Sequence, residues 1–139
     1  MTGRTVVVDT NVFGIALGND PLSLAGRYAK HLNGAALVVS FQTVAELRYG
    51  ALKANWGSAR VAAMETRIQQ ALVVPPHDAL AHVWAHLRNE CRKIGHPLHD
   101  KKHHGDLWIA ATAHLAGVPL VTHDSVFRGT PGLTIVTEA

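Results

Sequence analysis

The chain has one cysteine among 139 residues. Cys91 therefore cannot close an internal disulfide, which fits a reducing, cytoplasmic setting. No apolar run reaches the roughly 20 residues that a membrane helix needs, so no membrane association is expected. The first residues lead straight into a strand at Arg4–Val8. They lack the basic region, longer apolar stretch and small-residue cleavage site of a signal peptide. Acids are scarce: ten Asp plus Glu stand against thirteen Lys plus Arg, a net charge of +3 with histidine neutral. With 47% hydrophobic and 17% charged residues, the chain is too apolar to stay disordered. Its length suits one domain, residues 1–139, and is too short for two ordinary ones. Internal repeats and low-complexity tracts are missing. Pro and Gly fall between elements, and nothing reads as a linker.

What is present is an alternation of strands and helices. Thr5–Val8 is a continuous β-branched run and reads as a buried strand. Asn11–Leu17 and Leu22–Leu32 read as helices, Ala36–Val39 as a strand, and Phe41–Ala54 and Ser58–Leu72 as helices. Leu72–Val74 is a short strand stopped by Pro75 and Pro76. Ala79–Lys93 is helical, Ile94–His104 reads as a basic loop, and Leu107–Ala116 is an apolar helix closed by Gly117. Leu120–Thr122 and Leu133–Val136 complete the strands. The expected fold class is α/β, a three-layer α/β/α arrangement with a central, mostly parallel sheet.

Four of the scarce acids stand beside apolar runs: Asp9 in VVVDTNVF, Glu46 in SFQTVAELRYG, Asp106 in GDLWIAATA and Asp124 in PLVTHDSVF. Parallel sheets bind ligands beyond the carboxyl ends of their strands, where all four can converge. Taken singly, each has an ordinary explanation. Asp9 and Asp106 can cap helices, Asp124 can start a turn with Ser125, and Glu46 can be a solvated acid. Taken together, the four suit a hard cation such as Mg²⁺ or Mn²⁺, which wants oxygen ligands and relieves carboxylate repulsion. If they share one site, six acids face thirteen cations over the remaining surface. An acidic pocket in a basic surface suits a polyanion cut at a metal.

The ten histidines raise the question of zinc. His82 and His86 have i, i+4 ligand spacing but no third ligand, and GHPLHDKKHHGD (His96, His99, His103, His104) matches no closed zinc site. The run Arg88, Arg92, Lys93, Lys101, Lys102, His103 and His104 leads directly to Asp106. It is read as a cradle for a nucleic-acid backbone, with a solvated loop as the alternative. Tyr49 and Trp56 are candidates to stack an unpaired base, whereas Trp84 and Trp108 fall on apolar helices and read as core.

From Val6 to Val136 the sequence resembles the PIN-domain ribonucleases, and in particular the VapC-type toxins of that family. VVVDTNVF resembles the opening strand with its first acid, AELRYGALKANWG the helix of the second acid, and GDLWIAATAHLAGVPLVTHD the block holding the third and fourth. The resemblance implies a Mg²⁺- or Mn²⁺-dependent endoribonuclease whose metal ligands and catalytic residues are Asp9, Glu46, Asp106 and Asp124. Thr10, Asn11, Ser40 and Thr122 fall at positions that support the acids. A homodimer and a cognate antitoxin that blocks the site are implied as well. Val126 stands where relatives often carry an Asp, and Asp100 is a supplementary acid to consider. Three other readings remain: a PIN-fold nuclease that processes RNA without an antitoxin, a non-catalytic PIN-fold binding module, and a metal-dependent DNase or flap nuclease, since the chemistry alone does not tell ribose from deoxyribose.

Overall fold

The computed structural model describes residues 3–15 and 24–139. At its centre, valine alternation in the first strand, β1 (Thr5–Val8), feeds two separate cores. Val6 and Val8 face one layer of helices and Val7 the other, because successive side chains on a strand point to opposite faces. The remaining strands are β2 (Ala36–Ser40), β3 (Leu72–Val74), β4 (Leu120–Val121) and β5 (Ile135–Val136). All pairings are parallel, in the order β3-β2-β1-β4-β5. The sheet thus fulfils the three-layer α/β/α expectation.

One face is covered by α1 (Thr10–Ile15), α2 (Leu24–Leu32), α3 (Phe41–Lys53) and α4 (Ser58–Gln69), through Phe13, Tyr28, Leu32, Val44, Leu47, Met64 and Ile68. The other face is covered by α5 (Asp78–Ile94) and α6 (His104–Ala116), through Leu80, Leu87, Leu107, Ile109 and Ala110. Among the described residues no helix is long and apolar enough to cross a membrane. The helices expected at Asn11–Leu17 and Leu22–Leu32 are present where described, and their ends at Ala16, Leu17, Leu22 and Ser23 lie outside the described residues.

The stretch expected as a basic loop is ordered differently. Gly95 ends α5 in the left-handed region at φ 73°, which glycine adopts without a Cβ penalty. Two 3₁₀ turns follow, Pro97–His99 and Lys101–His103, and α6 begins at His104 rather than Leu107. Local hydrogen bonds and one buried anchor explain this. His96 Nδ1 accepts the Leu98 N–H at 3.2 Å, Asp100 Oδ1 accepts the Lys102 N–H at 3.1 Å, and Leu98 is fully buried. A charge-based reading sees the lysines and misses the caps.

Candidate functional site

Asp9 stands at the sheet's carboxyl rim, with its backbone clamped on both sides. Its N–H extends the β1–β4 ladder to Val121 O at 3.0 Å, and its C=O accepts the Phe13 N–H at 2.9 Å as α1 begins. The side chain is buried and both of its oxygens are held. Oδ2 accepts from Thr122 Oγ1 at 2.7 Å and Oδ1 from the Thr10 N–H at 2.7 Å. Burial pushes the Asp9 carboxyl up from 3.8 to about 6. The hydrogen bonds from Thr122 and Thr10 oppose the rise, and the neighbouring Asp106 and Glu46 carboxylates add to it.

Glu46 arrives from β2. That strand passes into α3 without a loop at Ser40, whose buried Oγ accepts the Gln42 N–H at 3.1 Å. Glu46 sits about one and a half turns into α3. There its Oε1 accepts from Thr10 Oγ1 at 2.5 Å, and that hydroxyl also lies 3.1 Å from Thr43 Oγ1. Thr10 thus links two acids, donating its N–H to Asp9 and its O–H to Glu46.

Asp106 lies in the first turn of α6, and its Oδ2 contacts His103 Nδ1 at 2.9 Å. Gly105 beside it has a steric reason to be glycine. A Cβ there would stand 2.9 Å from Gln42 Nε2 and 3.7 Å from Glu46 Oε2, so the start of α6 and the Glu46 face of α3 meet at this point.

Asp124 is placed differently. Its Oδ1 accepts the Val126 N–H at 3.0 Å and caps the 3₁₀ turn Ser125–Phe127, so the turn-forming explanation describes what it does here. Its N–H donates to Thr122 Oγ1 at 3.0 Å, the same hydroxyl that holds Asp9. Asp9, Glu46 and Asp106 therefore interact directly through their charges, and Asp124 joins them through Thr122.

Of the supporting residues, Thr10 and Thr122 bond the acids directly and Ser40 caps the helix carrying Glu46. Asn11 is exposed on α1, and among the described residues its side chain makes no hydrogen bond to the acids. Gln42 and Thr43 were not singled out from the sequence. Their signal was helical spacing to Glu46, at i, i+4 and i, i+3.

The basic residues divide. Lys101 and Lys102 are exposed, and among the described residues neither is ion-paired. Lys93 is paired with Glu90 at 3.4 Å. His103 is committed to Asp106, and His104 packs edge-on against Trp84 with ring centroids 5.2 Å apart. These two histidines belong to the site's framework rather than to an open cradle. Asp100 is tied up as a cap. His96 accepts at Nδ1 and donates from Nε2 to Arg128 O at 2.7 Å, which makes it a structural crosslink. His82 and His86 are exposed.

Among the described residues no three His, Cys, Asp or Glu side chains stand round a common point as in a finished cage. What suits a metal is the donor chemistry. Asp9, Glu46, Asp106 and Asp124 offer only oxygen, and the repulsion from Asp106 and Glu46 that adds to the effect of burial on Asp9 is what a divalent cation would relieve.

The PIN domain family matches residues 6–133, a span containing all four acids. Ribonuclease VapC4 of Mycobacterium tuberculosis is 32% identical over 144 residues, covering 99% of each chain. Ribonuclease VapC1 of Haemophilus influenzae is 30% identical over 118 residues, 85% of each chain. Among solved structures, DNA-bound VapBC from Salmonella typhimurium aligns with TM-score 0.77 at 25% identity, over 96% of this chain and 98% of that one. VapBC-1 from nontypeable Haemophilus influenzae aligns with TM-score 0.74 at 27% identity and the same coverage. A rim of carboxylates on a β3-β2-β1-β4-β5 parallel sheet, together with these likenesses, establishes that the chain belongs to the PIN domain family, in its VapC-type branch.

Proposed function

We propose that this protein is a metal-dependent endoribonuclease and the toxin of a type II toxin–antitoxin pair. One observation carries the chemistry: a buried carboxylate, Asp9, raised to about 6 with Glu46 and Asp106 among the causes. A buried acid within electrostatic reach of two others serves no packing purpose, and perturbed groups of this kind gather at functional sites. The names of the relatives, Ribonuclease VapC4 and Ribonuclease VapC1, support RNA as the substrate.

Asp9, Glu46, Asp106 and Asp124 would hold Mg²⁺ or Mn²⁺. Such a cation supplies charge stabilisation to the phosphoryl oxygens and lowers the pKa of water. The chain's own residues do the positioning. Thr122 and Thr10 hold both oxygens of Asp9, so the carboxylate presents a fixed face. Thr10 holds Glu46 by Oε1 and leaves Oε2, beside Gly105, to orient a water and take its proton. His103 holds Asp106 at Oδ2, and Oδ1 would be the oxygen offered to a metal. Lys101 and Lys102, without an ion pair among the described residues, attract the RNA backbone.

The partner reading rests on the VapBC neighbours. A cognate antitoxin would place an Arg or Lys among the acids and compete with the metal for their charge. An apolar helix of that antitoxin would find a seat in a cavity of about 300 Å³ between α3 and α4, walled by Ala51, Leu52, Trp56, Val61 and Met64 and lined as well by Asn55 and the Arg48–Glu65 ion pair. Glu46 lies on α3 as well, so the seat and the site share an element. The protein would act in the cytoplasm as a homodimer.

The test is cleavage of RNA by the purified protein with Mg²⁺, with EDTA, and as Asp9→Asn. Cleavage is expected in the first case and lost in the other two. Full activity of Asp9→Asn, or activity surviving exhaustive chelation, would overturn the site.

A further inference from the structure

Besides the apolar seat, the surface holds a second cavity of quite different chemistry. It measures about 400 Å³, lies between α5 and the turn Pro97–His99, and is lined by Trp84, Ala85, Arg88, Asn89, Arg92 and His99. Trp84, Arg88 and Arg92 form one i, i+4 row on α5, and Ala85 and Asn89 form the adjacent row, so five of the six face one way. Ala85 keeps the floor low. Among the described residues no carboxylate lines the cavity.

The cations here are held but not neutralised. Arg88 Nε donates to His99 O at 3.1 Å, and its guanidinium lies 5.5 Å from the Trp84 ring centroid. Arg92 Nη2 donates to Asn89 Oδ1 at 2.8 Å. Among the described residues neither arginine is paired with an acid. Each is fixed by a neutral oxygen and keeps further N–H donors for an anion. Among the described residues the Asn89 amide nitrogen is likewise without a hydrogen-bond partner.

Trp84, which the sequence suggested was core, is only half-buried. It stacks on Trp108 with centroids 5.2 Å apart at 28°, and its indole Nε1 is buried without a partner. An indole braced from behind by a second indole makes a rigid wall. Its His104 neighbour is two residues before Asp106 on the same helical turn.

We infer that this cavity binds one unpaired nucleotide of the RNA chain next to the scissile phosphate. The base lies against Trp84 with its edge toward Asn89, and its phosphate is held between Arg88 and Arg92. Aromatic wall, amide and uncompensated arginines are the set that recognises single-stranded RNA. A duplex cannot offer a base face, and an apolar helix would bury two arginines without a counter-charge. The inference rests on the nuclease reading and adds to it the strandedness of the substrate and a binding site off the carboxylate rim.

The test measures binding of a short fluorescein-labelled single-stranded RNA to the wild-type protein in EDTA, by anisotropy across a salt series. It is repeated with the matching duplex and with Trp84→Leu, Trp84→Phe, Asn89→Ala and Arg92→Gln. Trp84→Leu is expected to weaken binding by roughly five- to a hundredfold, with Trp84→Phe partly restoring it. Arg92→Gln should flatten the salt slope by about 0.7. Asn89 and Arg92 are exposed, so their variants test the groove even if Trp84→Leu does not fold. Equal affinity for duplex, or Arg92→Gln and Asn89→Ala binding like wild type, would overturn the inference while Mg²⁺-dependent cleavage stood. A Trp84→Leu protein whose sedimentation changes while its RNA affinity does not would assign the groove to self-association and also overturn it. Loss of the nuclease reading itself would show as no cleavage of any RNA by the wild type.

Discussion

At the residue scale, the decisive group is Asp9. Its carboxyl is raised by burial from 3.8 to about 6, so the folded chain holds this proton more tightly than the unfolded chain does. The stability tied to Asp9 is therefore full below 3.8 and is lost as the pH rises through about 6. In the metal-free protein the ionised form then costs roughly 3 kcal/mol. Asp9→Asn should raise the melting temperature at pH 8 without metal and flatten its dependence on pH between 4 and 6. Thr122 can accept from the new amide, so the fold should persist. Cleavage should fall by at least roughly a hundredfold, since losing even a partner of a metal ligand costs 10- to 100-fold. Mg²⁺ should stabilise the wild type more at pH 8 than at pH 5, because a carboxylate must lose its proton to bind. A melting curve that ignores both pH and the substitution would contradict this account. Gly105 makes a second case. Gly105→Ala puts a Cβ 2.9 Å from Gln42 Nε2, the far end of a flexible side chain. Thermal stability should hold or rise by up to about 1 kcal/mol, since alanine favours a helix over glycine. Cleavage should nonetheless drop, because the methyl intrudes beside Glu46. An active Gly105→Ala enzyme would show that this junction is not part of the site.

At the element scale, the two 3₁₀ turns before α6 carry the argument. They set His103 against Asp106 and expose Lys101 and Lys102. Leu98, fully buried, anchors them. Leu98→Ala should cost roughly 2–5 kcal/mol, read as a shift in the denaturation midpoint. Replacing Lys101 and Lys102 with Gln should leave that midpoint within about 0.5 kcal/mol of wild type, as expected of surface changes. It should weaken RNA binding and lower its salt slope by about 0.7 per lost phosphate contact. An unchanged slope would mean that these lysines are only solvated. In the sequence this stretch shows its charge but not its order, because the caps at His96 and Asp100 involve backbone N–H groups two residues on.

At the scale of the whole molecule, the parallel sheet puts Asp9 and Asp124 on one rim, and α3 and α6 bring Glu46 and Asp106 to it. Inhibition would then be a matter of filling that rim. Expression of the protein alone should arrest growth, and co-expression with its small cognate partner should restore it. The purified pair should not cleave RNA until the partner is removed. A protein harmless on its own that copurifies with no such partner would favour a processing nuclease over a toxin.

The sequence by itself determined the layer order, because β-branched runs, helical stripes and Gly or Pro stops are local signals. It also showed where the acids stand along those elements, since Asp9 directly follows its strand, Asp124 closely follows its own, Asp106 opens an apolar helix and Glu46 lies within one. Only the tertiary structure decided how they are used. Thr10 joins Asp9 to Glu46 across 36 positions of sequence, and Thr122 reaches Asp9 across 113. No local pattern encodes contacts of that separation. The same holds for Asp124, whose backbone cap competes for its carboxylate, and for Trp84. Its helical spacing reads as core and it does pack against the core, yet it also lines the cavity beside the arginines. Burial and partnership depend on what the rest of the chain packs against a residue, and periodicity along one helix cannot report that.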